Sequence, residues 1–184
     1  PAGSVSYAAL LSDRRLLSAM LLAVVGTTGV NVASPALPAM GGGLAVPDAR
    51  LGLVITAYTL PAMFAVPVAG VAADIYGRRA VVVPALVVFG VAGSAIAAVD
   101  TFSAVLILRG LQGLAFAGIM PMSVTILGDL YSGATGSAAQ GIRVASNGAS
   151  SVVTPALAGL LAAVAWNAPF LLYAAALPVA AFVY

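Results

Sequence analysis

Apolar residues run along this chain in long uninterrupted blocks, and the few charged positions fall between them. Reading by run length gives six spans, at about residues 16–37, 51–73, 80–98, 102–127, 140–165 and 167–184. Blocks of this length cross a bilayer at a helical rise of ~1.5 Å per residue. Pro35 and Pro38 are expected to close the first span, with Gly41, Gly42 and Gly43 opening the loop after it. Pro61 and Pro67 interrupt the second, and Pro169 falls in the first turn of the sixth, where a proline is tolerated. A Gly/Ser/Ala stretch at 132–139 reads as a polar loop between the fourth and fifth spans. The fold predicted is an all-α membrane protein, a six-transmembrane-helix bundle.

Composition narrows the class further. Hydrophobic residues make up 62% of the chain and charged residues only 7%, against about 25% charged in a soluble domain. A membrane barrel would alternate polar and apolar positions, and these blocks do not. Cysteine and histidine are both absent, which removes disulfides, thiolate chemistry and imidazole metal sites. Glutamate is absent too, leaving Asp13, Asp48, Asp74, Asp100 and Asp129, none clearly inside a span. Paired acids at membrane depth are therefore missing, and the sequence calls for no enzyme activity, no cofactor and no metal.

All seven cations are arginines. Arg14, Arg15, Arg78, Arg79 and Arg143 fall on one side of the predicted spans, and Arg50 lies in a loop on the other. That asymmetry places both termini, the loop between spans two and three and the loop between spans four and five in the cytoplasm of a multi-pass cell-membrane protein. The net charge of +2 thus reports topology and calls for no nucleic-acid partner. The chain opens at Pro1 and closes at Tyr184 inside an apolar run, which reads as a trimmed or processed piece. The apolar stretch after Arg15 is too long for a signal-peptide core.

Candidate chemistry is sparse. Residues 70–79, G-V-A-A-D-I-Y-G-R-R, form a joint at a membrane surface. Gly70 and Asp74 share a helix face, and Gly77 permits the reversal into the next span. Positive-inside arginines alone would account for Arg78 and Arg79. Arg109 is the costliest residue, since a cation central to a span costs about 2.5–3.5 kcal/mol on insertion scales. Two readings stand: its side chain snorkels to the outer surface, or it faces a cavity with Gln112, one turn on, and Asn31 nearby.

In the first span Thr27, Thr28, Asn31 and Ser34 make a polar stripe, either as helix–helix hydrogen bonds or as one wall of a cavity. Asn147 is a polar residue at depth in span five and a further cavity candidate. Ser150, Thr154, Pro155 and Gly159 read as a helix-packing set, with small residues for close approach and a proline bend. Met120 and Met122 are adaptable apolar contacts or plain packing.

Several of these motifs resemble those of major facilitator superfamily transporters. G-x-x-x-D-x-x-G-R-R at 70–79 resembles the loop motif between the second and third helices, with Ala72 where leucine is usual and Ile75 where a basic residue is usual. L-R-G-L-Q-G at 108–113 resembles the fourth-helix motif, and V-N-V-A-S-P-A-L-P at 30–38 the first helix. S-x-x-x-T-P-x-x-A-G at 150–159 is similar to a degraded antiporter motif, and W-N-A-P-F-L-L-Y at 166–173 to the start of the sixth helix of drug-efflux members. Several drug antiporters carry an acid in the first helix near the place of Gly26, and this chain does not.

The resemblance implies the amino-terminal half of a 12-helix transporter, closest to the drug/proton antiporter group. That half is built as two inverted three-helix repeats, residues 16–98 and 102–184, for which the echo between 67–73 and 155–162 is a weak sign. It further implies alternating access against a second six-helix half, either a missing carboxyl-terminal half or a second copy. Proton-coupled efflux of small organic or drug-like molecules is the implied function. Gly70, Asp74, Gly77, Arg78 and Arg79 would gate conformation. Arg109, Gln112, Asn31, Thr27 and Asn147 would serve coupling or the cavity. A uniporter or symporter for organic solutes and a non-transporting membrane scaffold are the alternatives.

Overall fold

The computed structural model describes residues 7–184, and among these it is helical throughout with no strand. A short helix α1 (Tyr7–Ser12) leads into α2 (Arg14–Asn31) and α3 (Ala33–Gly43), which together make the first span. Then come α4 (Asp48–Tyr76), α5 (Arg78–Ala95) with a terminal tighter turn (Ile96–Ala98), α6 (Phe102–Phe116) with α7 (Met120–Leu130), and α8 (Gly133–Ala162). Among the described residues, five segments are long and apolar enough to cross a membrane: Arg14–Gly43, Asp48–Tyr76, Arg78–Ala98, Phe102–Leu130 and Gly133–Ala162.

The sixth segment is shorter, Ala168–Val183, and begins as a 3-10 helix (Ala168–Ala175) before continuing as α9 (Ala176–Val183). A 3-10 helix rises ~2.0 Å per residue against ~1.5 Å, so the two parts together reach about 28 Å, close to the ~30 Å hydrocarbon core. Contacts at the two ends of the bundle fix the number of crossings. At one end the Arg14 guanidinium lies 5.2 Å from the Phe182 ring centre, Arg78 pairs with Asp129, and the Tyr131 hydroxyl meets the Asp13 carboxylate. At the other, Trp166 packs on Gly43 and Asn167 Nδ2 donates to the Ala97 carbonyl at 2.8 Å. The chain therefore traverses the bundle six times and returns to the end where α2 began.

The expected boundaries differ from the observed ones at three places, each with a local cause. Pro35 and Pro38 do not close the first span: the helix breaks at Val32 and resumes through both prolines and the three glycines to Gly43. Pro35 has no N–H for the Asn31 carbonyl, so the break falls where that bond is missing, while Val32 still donates to Thr28. Span four breaks at Ala117–Ile119 for the same reason, because Pro121 leaves the Ala117 carbonyl without its donor. The stretch 132–139, expected as a loop, is helical from Gly133 onward. Its serine hydroxyl at Ser137 bonds the Gly133 carbonyl, and Gln140 Nε2 reaches across to the Val124 carbonyl of α7 at 3.1 Å.

Close packing rests on glycine. α4 and α6 lie side by side, and a Cβ added at Gly113 would sit 2.0 Å from the Tyr58 carbonyl oxygen. A Cβ at Gly93 on α5 would overlap the Tyr173 ring and the Gln112 amide. The core between these helices holds Leu22, Phe89, Ile119, Phe170 and Tyr173, with Phe89 and Tyr173 edge-on at 5.5 Å. A second apolar cluster, Leu10, Leu16, Ala19, Leu127 and Ala139, closes the charged end. There Asp13 caps α2 by accepting from the Arg15 N–H, and its bond from Tyr131 holds the carboxyl below its usual range. Desolvation and that same aspartate push the Tyr131 hydroxyl up to about 12. Outward, α4 exposes Met63, Phe64 and Val68, and α8 exposes Val152 and Leu160.

Gly113→Ala drives a methyl into backbone and is expected to cost about 1–3 kcal/mol through overpacking. Gly110, one turn away, has its nearest neighbour at 3.8 Å, so Gly110→Ala is the matched control. Thermal melts in detergent should separate the two variants, and equal melting temperatures would refute the close α4–α6 contact.

Candidate functional site

Arg109 projects from α6 into the middle of the bundle and is completely buried. Its Nε donates to the Val54 carbonyl at 3.3 Å, and Nη2 to the Gly29 carbonyl at 2.8 Å. Nη1 donates to Gln112 Oε1 at 2.8 Å and to the Tyr173 hydroxyl at 3.0 Å. The guanidinium carbon also lies 4.4 Å from the centre of the Tyr58 ring. The Tyr173 hydroxyl in turn donates to the Gly29 carbonyl at 2.9 Å, and Gln112 Nε2 donates to the Phe89 carbonyl at 3.3 Å. One side chain thereby ties α2, α4, α6 and the sixth segment, and through Gln112 also α5.

Every one of these acceptors is neutral. The five aspartates stand at helix ends and connections, so no carboxylate offsets the charge. Charge-assisted hydrogen bonds are roughly twice as strong as neutral ones, and here four of them replace water. The snorkelling reading of Arg109 is thereby excluded. The expectation that it faces an open cavity beside Asn31 is corrected as well, because enough acceptors converge on it to enclose the guanidinium fully. Asn31 Nδ2 instead donates to Ser151 Oγ at 3.4 Å.

An open groove of about 440 Å³ lies beside this centre, between spans one, two, four and five. Thr27, Asn31, Tyr58, Thr59, Met63 and Met120 are among its lining residues, and none of the lining carries a charge. Arg109 is not in the lining; it rests against the Tyr58 ring, which is. Gly26 also lines the groove, and a Cβ there would meet Met120 Sδ at 2.9 Å. An acid at that position would need Met120 to move.

Thr27 and Asn31, of the polar stripe, each have two sets of neighbours. They line the groove, and they hold α2 to α8 through Thr27 Oγ1 to Ser150 Oγ at 3.1 Å and Asn31 to Ser151. Ser150 and Thr154 share a further bond at 3.1 Å, and Pro155 sits inside an unbroken α8. Gly159 departs from its expected packing role: a Cβ there meets nothing within 4 Å. Asn147 departs from its expected cavity role, since it does not line the groove and its Oδ1 is buried without a partner. Met122 is buried packing, with Arg78 Nη1 at 4.0 Å from its sulfur.

At the charged end α4 and α5 are joined by Gly77 alone, at φ 89° and ψ 150°. That region of backbone space is essentially closed to side chains with a Cβ, so the glycine is required there. Arg78 pairs with Asp129 at 2.9 Å and more loosely with Asp74 at 3.8 Å. Arg79 is exposed on the first turn of α5, and a Cβ at Gly70 would meet open space. In the sequence Asp129 stands out only as an acid outside the predicted spans. Its place on the same side as Arg78 was the available signal, but the pairing crosses spans and has no spacing rule.

Residues 19–184 match the family model of the Major Facilitator Superfamily. The chain belongs to that superfamily. It is 30% identical over 164 residues to the bacillibactin exporter of Bacillus subtilis, covering 85% of this chain and 41% of that protein. To the multidrug transporter protein MdtP of the same organism it is 34% identical over 144 residues, covering 78% of the chain and 26% of the relative. To the quinolone resistance protein NorA of Staphylococcus aureus it is 26% identical over 155 residues, covering 84% and 40%. The chain thus spans less than half the length of these relatives. Superfamily members are membrane-embedded transporters of small molecules, and the bundle described above is a multi-pass membrane protein of that family.

Lysine places three donors on one atom and cannot reproduce the planar fork of Arg109. Arg109→Lys should therefore leave at least one buried acceptor unpaired and cost about 1–3 kcal/mol. A melt in detergent reads this directly; a lysine variant as stable as the parent would show that the fork does not hold the bundle.

Proposed function

We propose that this chain forms one six-helix half of a proton-coupled exporter of small organic molecules that works by alternating access. The observation that carries this reading is the uncharged groove beside a fully buried, uncompensated cation, in a chain whose relatives include exporters. One half supplies one wall of a pathway. The apolar faces of α4 and α8 flank the groove and are suited to receive a second six-helix half, whether a carboxyl-terminal half or a second copy. Residues 16–98 and 102–184 act as two inverted three-helix units.

The gating set divides by role. Gly77 sets the one-residue joint, and Arg78 with Asp129 and Asp74 locks the charged end in the present conformation. Arg79 and Gly70, exposed or open within this bundle, are available to the second half. Gly159 and the exposed face of α8 belong to that interface too. The arginine distribution supports placing the charged end on the cytoplasmic side of the cell membrane. A uniporter is the second reading, favoured by the absence of any acid from the groove lining.

Efflux from proteoliposomes with and without an imposed proton gradient separates the two, since only the exporter responds to the gradient. Asp129→Asn should slow turnover and leave equilibrium binding intact, because the pair biases conformation without touching the groove. A part-exposed ion pair contributes up to about 1 kcal/mol, so the shift in conformational balance is on the order of fivefold. Asp74→Asn, at the longer distance, should do less. Loss of affinity at normal turnover would refute the gating assignment. The orientation is checked separately: a cysteine at Ala45, in a chain without native cysteine, should react with impermeant reagent only from outside. Labelling only from the cytoplasmic side would reverse the topology.

A further inference from the structure

Three arginines meet at the charged end of the bundle. A cavity of about 510 Å³ opens there, and Arg15, Arg78 and Arg79 line it with Asp129 and the apolar Ile126 and Val183. The cations come from the first turns of two different spans, Arg14–Gly43 and Arg78–Ala98. Topology alone calls for arginines at one end of a bundle, but not for their gathering around one cavity. Arg14 provides the contrast: it lies over the Phe182 ring and does not line the cavity.

The carboxylates of this end are already engaged. Asp129 pairs with Arg78 at 2.9 Å, and Asp74 stands 3.8 Å from the same guanidinium. Asp13 accepts from the Arg15 backbone N–H and from the Tyr131 hydroxyl, and neither Asp13 nor Asp74 lines the cavity. Among the described residues Arg15 and Arg79 form no ion pair, and both are exposed. Ser18 Oγ, also in the lining, donates to the Arg14 carbonyl at 2.8 Å. The open donors of the cavity are thus guanidinium groups. Three arginines against one aspartate leave an excess of positive charge, which favours an anion there.

Arg79 also borders an apolar slot. This second cavity, of about 580 Å³, is lined by Arg79, Ala80, Val83, Pro84 and Tyr184, so Arg79 stands on the rim of both. From Arg79 to Pro84 the helix runs ~7.5 Å into the span, and no charge lines the slot beyond Arg79 itself. The slot lies on α5 and the end of α9, not on the faces of α4 and α8 that a second half would cover.

We infer that this end of the bundle binds an anionic phospholipid, with its phosphate at Arg15 and Arg79 and one acyl chain in the slot beside α5. Guanidinium groups suit phosphate because their planar N–H forks bond two oxygens at once. Basic pockets between membrane helices at headgroup depth hold such lipids by the same chemistry. A soluble phosphate would use the first cavity alone; the apolar slot next to it is what selects a lipid. In the present conformation Arg79 answers to the lipid, and contact with a second half would displace it. The site needs no second half and no ligand in the groove, so it stands apart from the transport reading.

The test titrates dioleoyl phosphatidylglycerol, phosphatidylethanolamine and phosphatidylcholine into the chain in nonionic detergent and reads the bound fraction by native mass spectrometry. Phosphatidylglycerol should bind about tenfold tighter than the two zwitterionic lipids, and a large excess of inorganic phosphate should not displace it. Arg15→Gln and Arg79→Gln should each weaken it about fivefold, the scale of one basic residue at an anionic surface, and leave phosphatidylcholine within about twofold. Arg14→Gln removes the same charge from the same end but outside the cavity, and should leave phosphatidylglycerol within about twofold. Ala80→Trp, at an exposed position, fills the slot and should weaken phosphatidylglycerol as well. A zwitterionic lipid bound as tightly as phosphatidylglycerol overturns the inference, as does displacement by inorganic phosphate. An Arg14→Gln loss equal to that of Arg15→Gln reduces the effect to net charge and overturns it too, and unchanged affinity in Ala80→Trp refutes the acyl-chain slot. The lipid comparison on the parent chain decides even where a variant fails to fold.

Discussion

A guanidinium held in the centre of a membrane bundle without a carboxylate is the constraint on which the rest of this structure depends. Arg109 is stable there only because carbonyls and hydroxyls from different segments converge on it at hydrogen-bonding distance. That convergence demands close helix approach, and a glycine stands at each place where approach is closest. Gly29 leaves its carbonyl to Arg109 and room for Tyr58. Gly113 lets α6 touch the α4 backbone beside Tyr58, and Gly93 admits Tyr173 and Gln112 against α5. Small residues are a common means of helix association in membranes; here the same residues bring the acceptors of one cation into range.

How much of this could be read from the sequence follows from which interactions are local. The spans follow run length, and Gln112 follows Arg109 by one turn, so both were legible. Backbone carbonyls carry no residue signature, so Gly29 and Val54 as partners were not. Tyr173 closes the W-N-A-P-F-L-L-Y motif, which carries no signal for a partner on α6, and Tyr58 stands unmarked among apolar neighbours, although a phenol at that depth needs a polar contact. The breaks at Val32 and Ala117–Ile119 stand one hydrogen bond upstream of Pro35 and Pro121, a rule that was available. The helical start of α8 was not, because Gly, Ser and Ala at 132–139 become helical by docking Gln140 onto α7, a tertiary contact.

Polar side chains in the bundle divide between two uses, and the division is geometric. Hydroxyls whose protons bond their own helix carbonyls, such as Thr28 and Ser94, are neutral fillers of the span. Those that also reach a second helix, as Thr27 does to Ser150, add cohesion worth well under 2 kcal/mol each by analogy with measured membrane pairs. Asn147 belongs to neither use, since its Oδ1 is buried without a partner.

α4 connects the two ends of the argument. It carries Val54 and Tyr58 against Arg109 and ends in Asp74 at the joint with Arg78. Between them stand Pro61 and Pro67, each removing one intrahelical bond, from the Ala57 and Met63 carbonyls in turn. A helix lacking two bonds along this stretch bends there more readily than elsewhere. The ion pairs at the charged end and the ring stacked on Arg109 are therefore attached to opposite ends of the same compliant lever. Any motion that reopens the Arg78–Asp129 pair while α6 stays packed must be absorbed either in this lever or in the Tyr58 contact. Close backbone contact at Gly113 pins the Tyr58 end, which leaves the proline-weakened stretch as the part free to move.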